Sequence, residues 1–97
     1  MKLTLTIVRD DDADKVVDAL VAHGFYVTRL ASTGGFLRIG NTALLSGVED
    51  DQLDQMLKII RGHTEIHIQP PTSHVLQETR VSRAVVFVLG LEQLVKL

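Results

Sequence analysis

The chain is 97 residues long and 45% apolar, with ten Lys+Arg against twelve Asp+Glu and a formal net charge of −2; this is a globular composition sized for one domain, expected over residues 1–97. The near-neutral balance excludes a bulk binder of nucleic acid, and the lack of any cysteine excludes disulfides, zinc knuckles, thiol catalysis and iron–sulfur ligation. No apolar run approaches the ~18 residues of a membrane span, and no basic-then-apolar leader opens the chain, so a cytoplasmic protein without membrane contact is expected.

Residues 2–9 alternate, with Leu3, Leu5 and Ile7 on one face and Thr4 and Thr6 on the other, and read as a strand. Asp10, Asp11 and Asp12 offer N-cap oxygens and negative charge to the positive end of a helix. Ala13, Val16, Val17, Leu20 and Val21 continue it as an apolar stripe, closed by Gly24. A second strand is expected over residues 25–31, a loop over 32–41 and a third strand over 42–47. Glu49-Asp50-Asp51 repeats the acidic helix start, and Leu53, Met56, Leu57 and Ile60 form a second stripe that stops at Gly62. A fourth strand is expected over residues 64–68, halted by Pro70-Pro71, which a sheet interior does not admit. Residues 72–83 are polar and read as a loop with room for a second hairpin arm; residues 84–89 are the most apolar run, and residues 91–97 close the chain as a turn of helix or an extension.

The order β-α-β-β-α-β predicts an α+β fold of the ferredoxin-like kind, with both helices on one face of the sheet. Strands of such a sheet should alternate, polar on the open face. Residues 84–89 do not, and neither does Ala43-Leu44-Leu45. Apolar residues on both faces predict that the open face is covered as well. A chain this short hides only about 60–70% of its unfolded surface by itself, so an obligate homo-oligomer is expected.

Few constellations could carry catalysis. His63, Glu65 and His67 would share one face of a strand, a spacing that suits a metal ion, although a third strong ligand is missing nearby. His23 stands where a cation suits a helix end, and His74 falls in the polar loop. Ser32, Ser46, Ser73 and Ser82 lack a nucleophile elbow, and the acid pairs Asp14/Asp18 and Asp50/Asp54 belong to helix starts. Neither a Walker-type nor a dinucleotide glycine motif occurs. The four aromatics, Phe25, Tyr26, Phe36 and Phe87, are too few for an RNA-stacking platform. The expectation is a protein that is not an enzyme, with no catalytic residues.

What remains is a locally cationic, glycine-rich segment. Residues 19–48 contain no Asp or Glu, and Arg29 and Arg38 are their formal charges. Gly34, Gly35, Gly40 and Gly47 fall in the second half of that stretch. Glycines let backbone N–H groups approach a phosphate closely. Thr28, Thr33 and Asn41 add short hydrogen-bonding side chains, the two arginines balance phosphate charge, and Phe36 is an apolar residue suited to a base or a subunit boundary.

The run Thr28-Arg29-Leu30-Ala31-Ser32-Thr33-Gly34-Gly35-Phe36-Leu37-Arg38-Ile39-Gly40-Asn41-Thr42, followed by Gly47-Val48-Glu49-Asp50, resembles the signature of the PII-like cyclic-di-AMP receptors. The resemblance extends from Met1-Lys2-Leu3 through Val8-Arg9-Asp10 and Asp18-Ala19-Leu20, and resumes at Ala84-Val85-Val86-Phe87-Val88, about four fifths of the chain. It implies a ferredoxin-like domain assembled as a homotrimer, without catalytic activity, binding one cyclic di-AMP in each cleft between subunits and signalling to a downstream protein. Thr28, Gly35, Phe36, Leu37, Asn41 and Gly47 are then expected to contact the nucleotide from one side, joined by Arg29, Gly34 and Arg38 of the same segment. Phe87 matches an aromatic that packs on an adenine.

Four departures accompany the match. Tyr26 stands where the family carries a basic residue, Lys96 where a glutamine is expected, and Ser82-Arg83 where a Gly-Gly pair precedes the last strand. The loop between the second helix and that strand is shorter than the family's and lacks its Gly- and Tyr-rich stretch. The alternative expectation is a PII-like trimer that takes another nucleotide, a metal through His63, Glu65 and His67, or a protein alone.

Overall fold

A computed structural model of the chain describes residues 1–30, 40–64, 67–69, 79–81 and 84–97. The elements are β1 (Lys2–Arg9), α1 (Asp10–Ala22), β2 (Thr28–Leu30), β3 (Asn41–Val48), α2 (Leu53–Gly62), β4 (His67–Gln69), β5 (Thr79–Val81) and β6 (Ala84–Gly90). Four strands form one sheet in the order β2-β3-β1-β6, antiparallel at every pairing. With two helices on one face, this is the ferredoxin-like α+β fold.

The helices start and stop for local reasons. Arg9, rather than an aspartate, is the N-cap of α1 and makes no side-chain cap bond; Asp10, Asp11 and Asp12 occupy the first turn, where their charge still suits the helix dipole. The Asp10 N–H donates to Gly40 O at 2.8 Å, and its carboxylate accepts from the Thr42 hydroxyl, so the helix start is tied to the start of β3. At the far end Gly24 takes φ +86. The Gly24 and Phe25 N–H groups then reach back to Val21 O and Leu20 O, both at 3.0 Å, as in a Schellman closure. Phe25 is thereby turned into the core, which is why β2 begins at Thr28 and not at residue 25. Residue 31, expected in the same strand, lies outside the described residues, as do residues 32–39 of the expected loop. α2 is preceded by a 3₁₀ turn, Asp50–Gln52, whose Glu49 and Gln52 form a reciprocal capping box.

The core lies between helices and sheet: Val16 and Leu20 of α1 and Met56 and Ile60 of α2 meet Val8, Leu44 and Val48. The side of β1 that faces them is the one with Thr4 and Thr6, both fully buried. The rule that polar residues mark the open face is therefore reversed in β1. Thr4 Oγ1 donates to Ser46 O at 3.3 Å and lies 3.6 Å from Met56 Sδ, both long contacts. Thr4→Val, which keeps the shape and removes a weakly bonded hydroxyl, is expected to move the urea-unfolding free energy by no more than ~1 kcal/mol.

Leu3, Leu5 and Ile7 lie on the other, helix-free face. In register beside them stand Leu89, Phe87 and Val85 of β6, which are 54%, 50% and 45% exposed in the single chain. The open face is thus apolar across neighbouring strands.

The expected fourth strand over residues 64–68 is corrected. Thr64 stays with the end of α2, its hydroxyl donating to Ile60 O at 2.9 Å. β4 pairs instead with β5 in a separate two-stranded sheet, His67 opposite Val81, and β6 supplies the last strand of the main sheet. Residues 91–97 form neither strand nor helix. The Leu91 N–H donates to Met1 O at 3.1 Å, and Leu94 reaches the open face at Gly47.

Candidate functional site

Register decides which candidate residues share a surface. Thr28 stands opposite Leu45, Leu45 opposite Leu5, and Leu5 opposite Phe87, one row across the open face. The next row runs Gly47, Leu3, Leu89. Side chains alternate along a strand, so Asn41, Leu45 and Gly47 of β3 also lie on this face. Thr28 and Gly47 come close together near one end of it. Asn41 stands at the other end of β3, ~20 Å from Gly47 at ~3.4 Å per residue. Phe87 is at the opposite edge of the sheet from Thr28. Strands β3 and β1 lie between them, a distance of about 14 Å at ~4.8 Å per strand spacing.

Arg29 is on the other side. It faces Leu44, a core residue, and its Nη2 lies 2.7 Å from Asp14 Oδ1 on α1. Its charge is directed to the helix layer, while Thr28 one residue earlier is directed to the open face. Gly34, Gly35, Phe36, Leu37 and Arg38 lie outside the described residues.

Gly47 is a glycine for reasons of space. Its φ is ordinary, but a Cβ at this position would come within 2.6 Å of Leu94 Cδ1. Residues 91–97 therefore cross the end of the open face from the β6 edge to β3, and further on Lys96 Nζ lies 5.2 Å from the centre of the Tyr26 ring. The Ser46 hydroxyl donates to the Tyr26 carbonyl, tying that ring's backbone to the strand that carries Gly47. Sequence reading registers Tyr26 and Lys96 as separate departures; nothing local signals that they meet.

The metal alternative meets a different backbone from the one expected. His63 is the C-cap of α2, its Nδ1 2.9 Å from Ile59 O, so it does not share a strand with His67. Glu65 lies outside the described residues. Among the described residues no group of three metal-binding side chains gathers, and no helix is long and apolar enough to cross a membrane.

The whole chain, residues 1–97, matches the family described as "Cyclic-di-AMP receptor". A similar protein is the "Nitrogen fixation nifHD region GlnB-like protein 1" of Methanothermococcus thermolithotrophicus, 33% identical over 93 residues, covering 74% of this chain and 89% of the relative. Among solved structures, a functionally unknown protein from Pediococcus pentosaceus ATCC 25745 is similar with a TM-score of 0.75 and 31% identity, covering 99% of this chain and 96% of that one.

Proposed function

Because the chain belongs to the cyclic-di-AMP receptor family, a PII-like family of nucleotide-binding signalling proteins, we propose that it is a non-enzymatic sensor that binds cyclic di-AMP between the subunits of a homotrimer. The observation that carries the reading is the row Thr28, Leu45, Leu5, Phe87. It assigns Thr28 and Phe87 to opposite edges of one sheet, so a ligand touching both is best served by the β2 edge of one copy and the β6 edge of the next. The exposed apolar row between them gives the copies a reason to associate. In this reading Thr28, Asn41 and Gly47, with Gly34, Gly35, Phe36, Leu37 and Arg38, form one wall of the cleft, and Phe87 of a neighbouring copy forms the other. Occupancy becomes a signal to a downstream protein because the ligand binds two states of the assembly with different affinity.

Calorimetric titration with cyclic di-AMP tests this, with cyclic di-GMP and ATP as competitors. The expected result is selective binding near one ligand per subunit. Asn41→Ala and Phe36→Ala are each expected to weaken it by more than ~1 kcal/mol, the size of a lost buried hydrogen bond or aromatic anchor. Absence of heat from the assembled protein would overturn the ligand assignment, and unchanged affinity in both variants would overturn the site.

A further inference from the structure

We propose that Lys96 is the phosphate-facing cation of the nucleotide cleft, carried onto the open face by residues 91–97 and seated on the Tyr26 ring. The inference rests on the cyclic-di-AMP reading, because the charge it explains is that of a ligand with two phosphodiester groups. A dianion leaving water needs compensating charge at its oxygens.

The described residues offer few cations for that task. Arg29 is committed to Asp14 on the helix side. Lys15 is 3.3 Å from Asp12, and the Met1 ammonium is 2.8 Å from Asp50. Lys2 pairs in register with Val48, on the core side of the sheet. Lys96 takes part in none of the three ion pairs found among the described residues. It lies instead over the ring of Tyr26, which is 60% exposed and only two residues before Thr28.

The placement is built by three contacts along the segment. Leu91 is hydrogen-bonded to Met1 O, Leu94 fills the space that Gly47 leaves, and Lys96 meets Tyr26. Leu94 and Lys96 thus come to the end of the sheet where Thr28 and Gly47 already lie. An aromatic face attracts an ammonium without neutralising it, so the three N–H donors of Lys96 stay available to phosphate oxygens. A lysine is suited to this as a compact point charge that can follow a ligand's oxygens.

Titration of Lys96→Gln and Lys96→Arg with cyclic di-AMP over a range of salt concentrations is the test. Lys96→Gln is expected to bind about tenfold more weakly, the size of one charge-assisted hydrogen bond, with a shallower salt dependence. Lys96→Arg should restore both. Moving the cation to the other member of the pair, in the double variant Tyr26→Arg/Lys96→Gln, should recover most of the affinity, which a merely structural role for Lys96 would not give. If the parent chain binds and Lys96→Gln keeps its affinity and salt dependence, this assignment falls while the proposed function stands. If the parent chain does not bind cyclic di-AMP, both fall.

Discussion

Leu5→Glu is expected to convert a chain that runs as a trimer in light-scattering chromatography into one that runs as a folded monomer. Leu5 is at the centre of the open face, between Leu45 and Phe87, and belongs to none of the core packing beneath the helices. A carboxylate there stays hydrated in the single chain. In an assembly that covers this face it would be removed from water without a partner, at several kcal/mol for each ion, once in every subunit. Far-ultraviolet circular dichroism should retain both helices. A variant that still runs as a trimer would show that copies meet through some other surface.

Leu20→Ala should do the opposite: leave the assembly state unchanged below the melting transition while lowering stability sharply. Leu20 is almost fully buried and lies in the cluster with Val8, Val16, Leu44 and Met56. Truncating a buried leucine to alanine costs about 2–5 kcal/mol, through lost transfer energy and the cavity left behind. Against the ~5–15 kcal/mol typical of a whole domain, that is a large fraction. A domain of this size loses roughly 4–8 °C of melting temperature per kcal/mol, so a fall of at least 8 °C is expected. The two variants together separate the faces of the sheet: one is needed to fold, the other to assemble. If Leu20→Ala melted within a degree or two of the parent, the helix layer would not be the principal core.

The regular elements were legible because their signals are local. The stripe Ala13, Val16, Leu20 and the closing Gly24 define α1 from within the segment, since a helix satisfies its own hydrogen bonds and shows one face to the core. The segment from Thr28 to Thr42 carried the family resemblance for a similar reason: a phosphate-binding backbone needs particular small residues in fixed order. The alternation of β1 was equally visible, but its assignment was not. Leu3, Leu5 and Ile7 identify a face without saying whether helices or another chain will cover it, and here the helices cover Thr4 and Thr6.

Sequence by itself determined the two helices, the order of the main strands and the glycine-rich segment. Tertiary structure decided everything that depends on pairing. It assigned the last place in the sheet to β6 and left β4 with β5, because backbone pairing is a choice among distant partners that no local pattern encodes. It also separated Arg29 from Thr28, adjacent in sequence, by the alternation of a strand, and sent that arginine to Asp14. And it brought Lys96 to Tyr26 and Leu94 to Gly47, contacts between the end of the chain and its first half. The physical reason is one of range: hydrogen bonding and periodicity act over a few residues, whereas burial and charge pairing take whichever neighbours the fold supplies.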